Sequence, residues 1–295
     1  MKIKTQQISF SLLKERKINL FIKRIDLIHE YVSGNKWYKL KYNFIEAEKR
    51  GYKSILTFGG AFSNHILATA NLAKEKGFNS IGIIRGERHL PLNPTLALAV
   101  NQGMKIHYVS RNDYRLKHTV DFLEKLKSYF GDFYLMPEGG SNNLAVKGAA
   151  EILDLDDTQD YVCCAVGTGG TMAGIINSSD KNQKVLGLPV IKGSESLEAD
   201  VLNWATKSNY RFIDNYSFGG YAKVNDDLIE FINNFYKTQE IPLDVVYTGK
   251  MMFGIIDLVA KDYFREGSSI LAIHTGGIQG NKGMNNKFGL HLPVI

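Results

Sequence analysis

Residues 163–176 read CCAVGTGGTMAGII: an apolar run, a turn made of Gly167, Thr168, Gly169, Gly170 and Thr171, and then a helical pattern of small residues. Glycines let backbone N–H groups converge, and a helix N-terminus adds partial positive charge, so such a turn suits a phosphate. The Gly-Lys-Ser/Thr of a nucleotide P-loop is missing, and Met172 stands where a dinucleotide fingerprint needs its last glycine. A phosphate outside a nucleotide is the expected ligand; the plainer reading is a tight strand-to-helix turn.

The same order of strand, polar glycine turn and helix recurs outward from this stretch. SILTFGGAFSNHILATANLAKEKG (54–77) predicts a strand over Ser54–Phe58 and a helix over Asn64–Lys76, with Gly77 just past its end. NSIGIIRGE, KIHYVS, FYLMPEGG, KVLGLPVI and SSILAIHTGG read as further strands, and NPTLALAVNQG as a helix opened by Pro94. Strands alternating with helices imply parallel sheets with right-handed crossovers and ligands at the carboxyl ends of the strands. The expected fold is α/β: two three-layer domains with mostly parallel sheets, a small one over 40–141 and a large one from 1–39 and 142–295.

Composition narrows the function. The chain has 295 residues, 44% hydrophobic and 22% charged, an ordinary globular mixture able to form a large core. Its net charge of +6 is spread among acids, as in EAEKRGYK, with no basic stripe, so no nucleic-acid partner is expected. Cys163 and Cys164 are adjacent in an apolar run, which suits buried thiols, and no metal-ligand spacing occurs. No apolar run reaches transmembrane length, and the N-terminal region lacks a signal-peptide core, so no membrane partner and a cytoplasmic location are expected.

Two other segments carry chemistry. In YVSGNKWYKLKYNF, Gly34 and Asn35 place Lys36 at a helix start, where the dipole favours the neutral amine that attacks carbonyls; a solvated lysine is the plainer alternative. In TFGGAFSNH, a glycine turn presents Ser63, Asn64 and His65, any of which could instead be a cap or packing residue.

Together with KRIDL (23–27), PEGGSNNLAVKG (137–148), VYTGKMMFGI (246–255) and HTGGIQG (274–280), these motifs in this order resemble the 1-aminocyclopropane-1-carboxylate deaminase and D-cysteine desulfhydrase family. These are pyridoxal-phosphate enzymes of the tryptophan synthase β fold type (fold type II). The resemblance implies pyridoxal 5′-phosphate on Lys36 as a Schiff base, with Lys39 and the Gly167–Thr171 turn on its phosphate. It puts Asn64 on the ring hydroxyl and Thr275 near the pyridine nitrogen. Ser63 and His65 would meet the substrate carboxylate, and Tyr221, Tyr247 and Thr248 would stand near the substrate, with Ser63 and both tyrosines catalytic. A small amino acid is the expected substrate and a homodimer the expected assembly. The chain departs from the family at Trp37, Tyr38 and Phe62, so an unusual substrate-side wall is expected. Thr248 and Thr275, where ring-opening deaminases carry Glu and Leu, match the desulfhydrases. The implied reaction is β-elimination from D-cysteine, the alternatives being cyclopropane ring opening or a non-catalytic cofactor-binding protein.

Overall fold

A computed structural model of the chain describes residues 3–193 and 195–294. The described residues form the strands β1 (Thr5–Ile8), β2 (Asn19–Lys23), β3 (Ser54–Gly59), β4 (Asn79–Arg85), β5 (Lys105–Val109), β6 (Tyr134–Met136), β7 (Tyr161–Val166), β8 (Lys184–Pro189), β9 (Tyr210–Phe212) and β10 (Ser269–Ile273). A six-stranded sheet runs β1-β2-β10-β7-β8-β9 and a four-stranded sheet β5-β4-β3-β6. Every pairing is parallel except the edge pair of β1 with β2. The chain is therefore an α/β protein with mostly parallel sheets.

Period-two packing explains the apolar runs. In β7, Cys163 and Ala165 join one core while Val162, Cys164 and Val166 join another on the opposite face. β10 divides likewise, Ile270 and Ala272 to one side and Leu271 and Ile273 to the other. A strand buried on both faces has no polar alternation, because helices cover each side of a parallel sheet. Both cysteines are free and buried.

Helix starts are built as the residues dictate. Ser63, Asn93 and Asn142 each cap a helix with a side-chain oxygen that accepts a backbone N–H, and Pro94 occupies the first turn after Asn93. Two glycines let helices touch backbone to backbone. A Cβ at Gly148 would lie 2.0 Å from the Tyr38 carbonyl oxygen, and one at Gly174 2.5 Å from Ala149 Cβ. The helix Asn35–Lys49 is thereby held against Asn143–Ala149, and that helix against Gly170–Ser178. Among the described residues no helix is long and apolar enough to cross a membrane.

Candidate active site

A cavity of about 350 Å³ opens where the carboxyl ends of both sheets meet, within the usual range of small-molecule sites. The four-stranded sheet contributes Gly60 and Ser63 beyond β3, Arg85 at the end of β4, and Glu138 beyond β6; the six-stranded sheet contributes the turn after β7 and Thr275 after β10.

One end is arranged for an anion. Lys39 is 1% exposed, yet among the described residues its Nζ meets only hydroxyls, donating to Ser141 Oγ at 2.7 Å and Thr168 Oγ1 at 3.4 Å. Burial, then the charge of Lys36, pushes its ammonium well below the ordinary range. A buried cation without a carboxylate partner is costly, and a bound anion would compensate it. Gly169 and Gly170 open the helix Gly170–Ser178 beside it, Gly169 at φ +75°. A Cβ on Gly170 would stand 3.1 Å from Ser141 Oγ and 3.4 Å from Lys39 Nζ, inside the space an anion needs. The hydroxyls, the cation and the helix N-terminus fit a phosphate.

Lys36 enters from the next side. Gly34 has φ +66°, and a Cβ there would sit 1.9 Å from the carbonyl oxygen of Thr275, so only glycine lets the helix start press against the loop after β10. The N–H of Asn35 donates to that carbonyl at 3.3 Å. Asn35 then spans the site, its Nδ2 donating to Thr171 Oγ1 at 2.8 Å and its Oδ1 accepting from Lys36 Nζ at 3.1 Å. Burial lowers the Lys36 ammonium to about 8, opposed by the negative charge of Asp244. At neutral pH about a tenth is then the nucleophilic amine, far more than for an ordinary lysine.

Ser63 lines the cavity while its Oγ accepts the N–H of Ile66 at 3.3 Å. As the helix cap, it leaves the first-turn N–H groups of Asn64 and His65 without intrahelical partners. Asn64 also lines the cavity, its Oδ1 accepting from Gln279 Nε2 at 2.9 Å. His65 does not fit the expected carboxylate contact. Thr57 Oγ1 donates to Met136 O at 3.0 Å and so accepts from His65 Nε2 at 2.7 Å, which leaves Nδ1 an acceptor with no partner among the described residues. Burial and the two lysines hold the ring neutral, and a neutral ring with a lone pair offers a carboxylate no proton.

Opposite stand the two phenols. Tyr247 and Tyr221 pack edge-to-face with ring centroids 6.1 Å apart, and both line the cavity. Gly167 makes room for Tyr247: a Cβ there would approach its ring carbon to 3.0 Å. Burial, then Tyr221, pushes the Tyr247 hydroxyl well above its ordinary range, so it stays protonated at neutral pH. Thr275 is 9% exposed and lines the cavity, and among the described residues its hydroxyl makes no hydrogen bond.

Four further expectations need correction. Thr248 is fully buried away from the cavity, its Oγ1 donating to Asp244 Oδ1 at 2.8 Å and accepting the Asp244 N–H at 2.9 Å. It shapes a helix start and meets no substrate. Trp37 stacks on His29 with centroids 5.0 Å apart, and Tyr38 is buried in the core. Phe62 lies against Gly283, so none of these three forms the cavity wall.

Sequence reading passed over Asn35, Arg85, Glu138, Ser141 and Asp244. Asp244 is 2% exposed and accepts the N–H groups of Val246, Tyr247 and Thr248 at 2.9, 2.9 and 2.8 Å, which sets the position of Tyr247. Ser141 and Glu138 stood within a quoted motif, and only three-dimensional proximity to Lys39 and Tyr221 distinguishes them from ordinary loop residues. The KRIDL motif proves structural: buried Lys23 pairs with Asp154 at 2.7 Å and with Asp157, and Arg24 with Asp26 at 2.7 Å.

Comparison with known proteins identifies the family. The sequence model of the family described as pyridoxal-phosphate dependent enzyme matches residues 4–276. A Thermotoga maritima protein provisionally named 1-aminocyclopropane-1-carboxylate deaminase is 33% identical over 287 residues, which cover 89% of this chain and 89% of the relative. The mitochondrial bifunctional D-cysteine desulfhydrase/1-aminocyclopropane-1-carboxylate deaminase of Arabidopsis thaliana is 32% identical, over 88% of this chain and 73% of its own. A solved structure described as an ACC deaminase homologue superposes with a TM-score of 0.84 at 27% identity, covering 97% of this chain and 93% of that one. The chain belongs to the pyridoxal-phosphate-dependent enzymes, in the group of 1-aminocyclopropane-1-carboxylate deaminases and D-cysteine desulfhydrases, and pyridoxal 5′-phosphate is its cofactor.

Proposed function

We propose that the enzyme carries out β-elimination on a small amino acid, D-cysteine first, which with one water gives pyruvate, ammonia and hydrogen sulfide. The observation that carries this reading is the unpartnered hydroxyl of Thr275 on the cavity wall, where the resemblance places leucine in ring-opening deaminases.

Lys36 would hold the cofactor covalently. Lys39, Ser141, Thr168, Thr171 and the N–H groups of the 167–171 turn would hold its phosphate, Asn64 its ring hydroxyl, and Thr275 its ring nitrogen. Bound there, pyridoxal phosphate supplies an electron sink for the bond broken at Cα. Lys36 Nζ, as a neutral amine, would remove the Cα proton, for which a pKa of about 8 is suited. The helix N-terminus at Ser63 and Asn64 orients the substrate carboxylate. The Tyr247 hydroxyl, kept protonated by burial, would donate a hydrogen bond to the departing thiolate sulfur. Tyr221 stands beside it at the substrate side. The proposed assembly is a cytoplasmic homodimer, which light scattering tests against the 33.1 kDa mass of one chain.

The deciding experiment is a product assay across D- and L-amino acids and 1-aminocyclopropane-1-carboxylate. Sulfide and pyruvate from D-cysteine are expected. Efficient 2-oxobutanoate formation from the cyclopropane amino acid with no sulfide from D-cysteine overturns the reading, and cofactor binding without turnover of any of them points to a binding protein.

A further inference from the structure

Another buried lysine, besides Lys23 and Lys39, lies behind the substrate-side wall. Lys250, on the helix Thr248–Ala260, is 1% exposed, and among the described residues it forms no ion pair. Its Nζ donates instead to two main-chain carbonyls, Ser217 O and Gly220 O, each at 2.8 Å. These oxygens bracket a turn of unusual backbone: Phe218, Gly219, Gly220 and Ala222 have φ of +52°, +89°, +126° and +55°. Left-handed conformations at phenylalanine and alanine are disfavoured and persist only where surrounding contacts impose them. The same carbonyls also accept turn N–H groups, from Gly220 to Ser217 at 3.0 Å and from Lys223 to Gly220 at 3.1 Å. The residue this turn presents to the cavity is Tyr221.

Burying an ammonium is expensive, and an apolar side chain would fill the same space with less desolvation. What the ammonium adds is a directed tie between two carbonyls and a rigid helix. Tyr247 lies three residues before Lys250, so a single helix start carries one phenol directly and holds the turn that carries the other. We infer that Lys250 is a positioning residue that ties the 217–222 turn to the Tyr247 helix and so sets Tyr221 against Tyr247 at the substrate side of the cavity. The inference rests on the proposed role of Tyr221 toward the substrate.

The test is a double-mutant cycle in the holoenzyme with Lys250→Met and Tyr221→Phe, read by KM and kcat for D-cysteine and by hydrogen exchange of segment 217–223. Each single variant is expected to raise KM about tenfold, the double variant to lose no more than either, and cofactor absorption without substrate to stay unchanged. Lys250→Met is also expected to raise exchange in 217–223 about tenfold, a readout that needs no substrate. Gly220→Ala provides a second route: the nearest neighbour of a Cβ there is 3.8 Å away, so the strain of φ +126° alone perturbs the turn with the lysine intact. It should reproduce the KM effect and replaces Lys250→Met in the cycle if that variant does not fold. Multiplicative losses, or unchanged exchange in 217–223, overturn the inference. If Tyr221→Phe alone has no effect, the role of Tyr221 falls as well, an outcome told apart because a failed tie leaves the Tyr221→Phe loss in place.

Discussion

Lys36 and Lys39 lie one helical turn apart, and each answers a different demand of the same ligand. Lys36 must be neutral to attack an aldehyde, and burial brings its ammonium down to about 8. Below that pH the neutral fraction falls about tenfold per unit, so capture of pyridoxal phosphate by the apoenzyme should speed up with pH and level off above about 8. Stopped-flow absorbance measures it; a rate flat from pH 6 to 9 would contradict the assignment. Borohydride should then fix the cofactor on Lys36, and label on Lys39 or Lys250 would displace it. Lys39, by contrast, gains its charge when an anion arrives. Lys39→Met should weaken apoenzyme affinity for pyridoxal phosphate by about tenfold or more while leaving pyridoxal, which has no phosphate, nearly unaffected. Lys39 was legible only through the family resemblance, and helix geometry explains why it joins Lys36 at the cavity: residues three apart share a helix face, whereas Trp37 and Tyr38 turn about 100° and 200° away and pack elsewhere.

Helix starts are the working elements of this site, and one of them couples stability to chemistry. The helix Thr248–Ala260 begins on the buried carboxylate of Asp244, which accepts three N–H groups and the Thr248 hydroxyl. Asp244 also raises the pKa of Lys36 against the effect of burial. Asp244→Asn removes the charge and one acceptor, so two results should appear together. Stability should fall by about 1–2 kcal/mol, as for loss of a helix cap. The cofactor-capture profile should shift to lower pH, since an ammonium without its anion loses its proton more readily. Chemical denaturation reads the first and the pH series the second; a shift to higher pH would show that Asp244 does not face Lys36. From sequence, the Asp244 cap was hidden because the aspartate stands four residues before Thr248, in a loop with no apolar period. Thr248 misled for the reverse reason. It sits one residue after a cavity tyrosine, and that single step carries its side chain into the core. The strands with glycine turns were readable because a fully apolar run ending in glycine has few other structural solutions, whereas the antiparallel edge strand β1 carries polar residues and shows no such run.

At the scale of the whole molecule, the candidate cofactor contacts come from both sheets. Asn64 follows β3 of the four-stranded sheet, while the 167–171 turn and Thr275 follow β7 and β10 of the six-stranded sheet. The pairing of β2 with β10 joins residues about 250 positions apart in sequence, Asn19 with Ser269, a register that no local pattern discloses. A ligand held as proposed would therefore bridge the two sheets across the cavity. Anything that binds only the native state stabilises it by mass action, about 4 kcal/mol at a thousandfold excess over Kd. For a chain of this size that corresponds to a rise in Tm on the order of 10 °C. Holoenzyme and apoenzyme prepared with hydroxylamine should differ by that amount in calorimetry. The location of the gain is the sharper test. A bridging cofactor should slow hydrogen exchange at the start of the Asn64 helix and, at once, in the 167–171 turn and around Thr275. Protection confined to the six-stranded side would mean that the ligand is held by that sheet alone, and the role given to Asn64 would be lost. Lys39→Met separates the two cases further. By loosening the phosphate it should lower protection on both sides together if the ligand is a true bridge, and only in the 167–171 turn if it is not.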